Sequence, residues 1–395
     1  MLDLAGKPLA AIVSAGSSRF GRREGLYWRE LFLEAFKDVL DRCPNLNPKK
    51  DVKAVFLGMM SEGFEKQGHP GPTIASWAGL MPKACIRTES ACASAGAAVR
   101  FAVAAIAAGF YDIVLVGGVE KMTNLSTAEA TELISTASDF HFDQWNGLTF
   151  PGLFALTATA YMHKYGATEE DLARIAVKNR GNGALNPKAH FQKPITLEEA
   201  LNARFIAWPL KLYDCCPITD GASLLVLTKP RIARKFTDTP VYIIGQGYAC
   251  ESILASEKDY DAVRFVANVE ASKEAYKMAG LKPRNIDFAE VHDCFTIAEL
   301  IAYEDLGFCE KGEGAKMIRE GTVEREGKIP INTSGGLISR GHPVGATGVC
   351  QLHEVYLQLT GQAGNRQLMG VKVGLTSNIG GIGASAVVTI CRRGG

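Results

Sequence analysis

Three widely separated segments carry side chains able to do covalent chemistry: Cys92 in Glu89-Ser90-Ala91-Cys92-Ala93-Ser94-Ala95-Gly96, His292 and Cys294 in His292-Asp293-Cys294-Phe295, and His342 in Gly341-His342-Pro343-Val344-Gly345-Ala346-Thr347-Gly348. A thiol can carry an acyl group, imidazoles can polarise a carbonyl, and a second thiol can move protons. Together these parts serve the making or breaking of a carbon–carbon bond at a thioester.

Cys92 opens an Ala-rich helical stretch, where free backbone N–H groups and the helix dipole favour thiolate over thiol. The small residues around it leave room for a ligand, although a free cysteine is often just a small buried hydrophobe. His342 sits on a tight turn whose glycines let backbone approach a substrate. Ser334-Gly335-Gly336, just upstream, adds a second Gly-rich turn and is read as substrate-binding. His292-Asp293-Cys294-Phe295 follows the apolar strand Phe288-Ala289-Glu290-Val291, at the carboxyl end where α/β sheets hold their ligands. Asp293 reads as the cap of the following helix rather than as a reactive group. Cys85, Cys215, Cys216 and Cys350 read as packing residues. His69, His141, His163, His190 and His353 have no spacing that recommends metal binding or acid–base work.

The elements that position these groups alternate. Short apolar runs at 10–13, 52–57 and 113–116 read as buried strands, separated by helical patterns over 26–40 and from Cys92 onward. Residues from about 120 to 217 break the rhythm and read as an excursion laid over the sheet, with a helical piece over 169–179 followed by a loop over 181–194. Alternation resumes with strands at 222–227, 241–247 and 287–291, helices at 268–279, 297–306 and 349–359, and strands at 371–376 and 384–391. Asn378-Ile379-Gly380-Gly381 reads as a Gly-rich loop between the last two strands. This order predicts an α/β fold of two similar halves, 1–235 and 236–395, with the excursion inserted in the first.

At 395 residues and 47% apolar content, the chain can bury cores of that size. A net charge of +1 gives no reason to expect nucleic acid or an acidic membrane as partner. The start of the chain lacks the long apolar run of a signal peptide. The ten cysteines include no Cys-x-x-Cys pair, so a reducing, cytoplasmic setting is expected and neither a zinc ribbon nor a thioredoxin-like site is. The apolar stretch 91–109 carries Arg100 and is mostly Ala and Gly, a buried soluble helix rather than a membrane span.

The motif set, with Val116-Gly117-Gly118-Val119-Glu120-Lys121-Met122 and Asp220-Gly221-Ala222, resembles the thiolase superfamily over essentially the whole chain. The His-Asp-Cys-Phe segment is similar to the subgroup that includes sterol-carrier-protein type and archaeal acetoacetyl-CoA thiolases. That resemblance implies a duplicated five-layered α-β-α-β-α fold with an inserted loop domain, and a homodimer or dimer of dimers. It implies that Cys92 is acylated, that His342 takes its proton, and that His292 and His342 hold the thioester oxygen of the second substrate. Many thiolases carry Cys-x-Gly where this chain has Asn378-Ile379-Gly380, so the acid/base thiol falls to Cys294. The N–H groups of Cys92 and Gly380 would form the second oxyanion hole, with Asn378 at the substrate. No cofactor or metal is implied: CoA esters are the substrates, and acetoacetyl-CoA is the default β-ketoacyl-CoA. Archaeal relatives also imply a small OB-fold, zinc-ribbon partner subunit.

Other readings stay open. A degradative enzyme for a bulky, branched or aromatic β-ketoacyl-CoA would use Phe140, Phe142, Trp145, Phe150 and Phe154 as an acyl pocket, though these aromatics could equally pack a core. A decarboxylating ketoacyl synthase would need only Cys92, His292 and His342. A non-catalytic scaffold would need none of them.

Overall fold

The computed structural model describes residues 6–258 and 263–394. Its main sheet has nine strands: β1 (Ala10–Ser17), β2 (Ala54–Gly58), β3 (Ala84–Thr88), β4 (Ile113–Glu120), β5 (Gly221–Thr228), β6 (Val241–Cys250), β7 (Phe288–Glu290), β8 (Val373–Gly380) and β9 (Ser385–Arg393). They lie in the order β3-β2-β4-β5-β1-β6-β9-β8-β7. The order is nearly symmetric about the β1·β6 contact, where only Ala10–Ile12 pair with Val241–Ile243. Each flank combines parallel pairs (β2·β3, β2·β4; β7·β8) with antiparallel ones (β4·β5, β5·β1; β8·β9, β9·β6).

Seven helices matter for the site: α1 (Trp28–Asp41), α2 (Ser94–Ala107), α3 (Phe150–Tyr165), α4 (Glu169–Ala184), α5 (Val266–Ala279), α6 (Thr296–Asp305) and α7 (Thr347–Thr360). Helix α2 packs on β2 and β4, and α7 packs on β8, β5 and α2. These two therefore form the central layer between the half-sheets, while α1 covers β1 and β5 and α5 covers β6 and β9 on the outside. The result is the α-β-α-β-α layering of the thiolase fold.

Strand composition follows from this sandwiching. In β5, Leu225 and Leu227 join the central core while Ala222, Leu224 and Val226 join the outer one; β1 divides likewise, with Ile12 inward and Val13 outward. Side chains alternate between two covered faces, so the strands read as continuous apolar runs instead of alternating ones. The 120–217 region holds α3, α4 and a small ribbon pairing Phe205–Ala207 with Leu210–Lys211. Two details differ from the sequence pattern. Helix α4 runs on to Ala184 instead of ending near Asn179, and β8 continues through Gly380, so Asn378 and Gly380 lie in a strand. Among the described residues no helix is long and apolar enough to cross a membrane.

Candidate active site

Cys92 lies in a 3-10 turn (Ala91–Ala93) that feeds straight into α2. Ala91 before it adopts left-handed backbone, φ +49°, which costs a residue with a Cβ about 1–2 kcal/mol. On the other half, His342 precedes the 3-10 turn Val344–Ala346 that feeds α7. Both turns sit at the ends of the central helices, and the packing is close: a Cβ on Gly118 at the end of β4 would lie 2.2 Å from the Gly345 carbonyl oxygen. Glycine is required there by that approach.

The structure brings Cys92, His292 and His342 together, with their sulfur and ring-nitrogen atoms within 4.8 Å of one another and all three side chains buried. The two imidazoles meet edge to face, with ring centroids 5.0 Å apart and planes at 89°. Cys92, Cys294 and His342 line one cavity of about 120 Å³ together with Phe150, Phe154 and Phe295. His292 is 2% exposed and adds no surface to that cavity wall. A thiol with two imidazoles is also a set that could reach a soft metal ion such as zinc.

Hydrogen bonds fix the two rings in opposite tautomers. His342 Nδ1 lies 2.7 Å from Thr347 Oγ1, and that hydroxyl donates its single proton to the Pro343 carbonyl at 3.1 Å. Thr347 therefore accepts from His342 Nδ1–H, and Nε2 keeps a lone pair, the form of a base. Asn378 Nδ2 donates to the Cys92 carbonyl at 3.0 Å, which can only accept, so the amide nitrogen faces this way and also donates to His292 Nδ1 at 3.2 Å. His292 consequently carries its proton on Nε2, the form of a donor.

Burial dominates the electrostatics. It pushes the Cys92 thiol up to about 12, reinforced by Glu120 and Glu89 and opposed by hydrogen bonds from the Gly381 amide and its own. It pulls His342 down to about 3, with the Arg340 charge acting in the same direction, and pulls His292 well below the ordinary histidine value, aided by His342 and Arg340. Cys294 is raised well above an ordinary thiol by burial and by Cys216, Cys92 and Asp293. At rest the site holds neutral thiols and neutral imidazoles. The expectation that the helix start favours thiolate is overturned here, because desolvation outweighs the amides and the dipole.

Several residues sit elsewhere than the sequence reading put them. Ser334, Gly335 and Gly336 do not line the cavity: Ser334 donates from N and Oγ to Glu290 at 3.0 and 2.5 Å, and Gly336 packs against the Asp293 carboxylate. Asp293 does not cap α6; its carboxylate accepts the Leu337 and Ile338 amides at the start of the short helix Gly336–Ser339. Asn378 bonds the Cys92 backbone carbonyl and the His292 ring, and the amide that bonds the Cys92 sulfur is that of Gly381, one residue past Gly380. Of the aromatic residues, Phe150 and Phe154 line the cavity, whereas Phe140, Phe142 and Trp145 are exposed.

Sequence reasoning missed Thr347, the cavity-lining Cys215 and Cys216, and Glu120. The buried Glu120 carboxylate accepts amides from Met60 and from Gly345, at 2.8 and 3.0 Å, and so ties the end of β4 to the turn after His342. Its place at the end of the apolar, glycine-rich run Val116–Val119 was the available signal.

Residues 10–231 match the family Thiolase, N-terminal domain, and residues 248–393 match Thiolase C-terminal domain-like. The chain belongs to the thiolase family. It is 43% identical over 384 residues to the acetyl-CoA acetyltransferase of Methanothermobacter thermautotrophicus, covering 97% of this chain and 99% of that one. It is 34% identical to the benzoylsuccinyl-CoA thiolase subunit BbsB of Thauera aromatica, covering 94% of each. A solved structure, the Ltp2-ChsH2(DUF35) aldolase, superposes with a TM-score of 0.84 at 27% identity, covering 98% of both chains. This thiolase is an acyltransferase acting through thioester chemistry, and the site above lies between its two matched halves.

Proposed function

We propose that this thiolase forms or cleaves acetoacetyl-CoA through an acyl-Cys92 intermediate, with the chain dividing near 235 into the two halves that share the site. The observation that carries the reading is the meeting of one thiol with two imidazoles held in opposite tautomers. In the first half-reaction Cys92 gives its proton to His342 Nε2 as sulfur attacks the thioester carbonyl. The departing CoA sulfur takes that proton and leaves as the free thiol. Amides of Cys92 and of the Gly380–Gly381 turn face the developing oxyanion, an interaction typically worth about 3 kcal/mol per donor.

In the second half-reaction His342 Nε2 takes the Cys294 proton, to return it at the end, and the Cys294 thiolate so formed takes a proton from the α-carbon of a second acetyl-CoA. His292 Nε2–H and the protonated His342 Nε2–H then stabilise the enolate oxygen. The enolate carbon attacks the acyl-Cys92 carbonyl, and the departing Cys92 sulfur regains the proton held by Cys294. Cavity size supports the acetyl group: about 120 Å³ is less than the roughly 150 Å³ that holds a benzene-sized guest. A bulky aromatic acyl group, as the name of the Thauera relative suggests for that protein, would require Phe150 and Phe154 to move aside.

The names of the Ltp2-ChsH2(DUF35) aldolase and of the Thauera subunit support a partner subunit, read here as the OB-fold, zinc-ribbon kind that the family resemblance implies, as it implies a homodimer. Ten free cysteines support a reducing, cytoplasmic setting. Intact mass measurement after mixing with acetyl-CoA tests the reading, with a 42-Da-type acetyl adduct (roughly one acetyl group for one proton) expected on Cys92 and lost on adding CoA. Absence of any adduct with short, branched and aromatic donors would return the chain to the scaffold reading.

A further inference from the structure

Away from the acyl cavity, the far side of the His342 loop borders a second, more polar space of about 480 Å³. Arg340 lines it and is 2% exposed. Its Nη1 is used, by the Glu290 carboxylate at 3.3 Å and Ser334 Oγ at 3.1 Å. Its Nε and Nη2 have no partner. Those two N–H groups run parallel along one edge of the guanidinium, the fork that meets two oxygens of an oxyanion. His353, 8% exposed, lines the same space, and its Nε2 is also without a partner.

The other charged groups on the wall are largely matched. Lys188 and Arg42 share Asp38 at 2.6 and 3.1 Å, and Arg366 pairs with Glu354 at 2.8 Å. The Arg340 fork, the His353 nitrogen and the Ser17 hydroxyl are what is left over. A buried guanidinium edge without an acceptor is costly, and the four cations around the space outnumber the three carboxylates that pair with them, Asp38, Glu290 and Glu354, leaving a positive balance.

We propose that this cavity is a binding site for a compact oxyanion of the phosphate type, gripped by the free edge of Arg340 and by His353. The site is separate from the acyl cavity and does not rest on the substrate assigned above. Because the Arg340 charge also acts on His342, an anion held on its free edge would weaken that field and make His342 more basic. Occupancy would then be felt by the reacting groups without touching them.

Calorimetric titration of the resting full-length protein with sodium phosphate, without acyl-CoA, tests this against sodium chloride at matched ionic strength. Saturable binding is expected for phosphate and not for chloride. Arg340→Lys keeps the charge but loses the fork, and should weaken binding about tenfold or more, the loss of one charge-assisted hydrogen bond. His353→Leu carries the same test should Arg340→Lys fail to fold. Adenosine 3′,5′-bisphosphate added first should not compete. Equal heats for phosphate and chloride, binding unchanged in both variants, or displacement by the nucleotide would each overturn the proposal.

Discussion

The starts of α2 and α7 are the same device built twice with different contents. Each is a 14-residue helix entered through a 3-10 turn, and each lies in the central layer. One presents a thiol at its start, the other an imidazole. The polar braces cross over: Glu120, at the end of β4 in the first half, accepts the Gly345 amide of the second half's turn. Asn378, near the end of β8 in the second half, donates to the Cys92 carbonyl of the first half's turn. Each half therefore sets the geometry of the other's reactive group. The two helix starts are alike in build and differ in content, and on the reading proposed above one supplies the nucleophile and the other the base.

Breaking the base side of this pair has the largest expected effect. His342→Ala removes the acceptor for the Cys92 proton, and acetylation should slow by about 10²–10⁴-fold in rapid-mix mass measurements. An unchanged rate would mean that another group takes the proton. Cys294→Ala separates the half-reactions: acyl exchange between CoA donors should survive, while exchange of α-protons with deuterated water and acetoacetyl-CoA formation should be lost. Loss of both together would assign Cys294 to acylation instead.

Asn378→Ala frees His292 to put its proton on either nitrogen. A loss of about 10- to 100-fold in kcat with little change in KM is expected, the range for a partner that orients a functional histidine. Asn378→Asp, which accepts where Asn donates, should be worse than Asn378→Ala; equal losses would argue that the amide only fills space. The smallest effect is a sharpening one. With the thiol raised to about 12 and His342 lowered to about 3, both stay neutral between those values. Alkylation of Cys92 by iodoacetamide should climb about tenfold per pH unit from 7 to 10. A plateau by pH 8 would reveal a thiolate–imidazolium pair.

Legibility in the sequence followed how local each signal is. Strand and helix order was readable because strands covered on both faces are continuous apolar runs, and the helix starts were marked by small residues beside Cys92 and His342. What lay hidden depends on partners far along the chain. Asn378 looks like a loop polar residue until its contact with Cys92, across 286 positions, is seen. Ser334-Gly335-Gly336 has the look of a ligand loop, yet its glycines allow a backbone to fold over buried Glu290 and Asp293. Thiolate character was misjudged because a helix start is visible in a sequence and the depth of burial over it is not.

Because the nucleophile's carbonyl is tied to an asparagine on the penultimate strand, a growing polypeptide exports its thiol through the ribosome long before the group that orients the neighbouring imidazole has been made. The tie between Asn378 and the Cys92 carbonyl therefore joins the earliest and the latest made parts of the site, and a chain ended before residue 378 lacks the donor that sets the His292 tautomer.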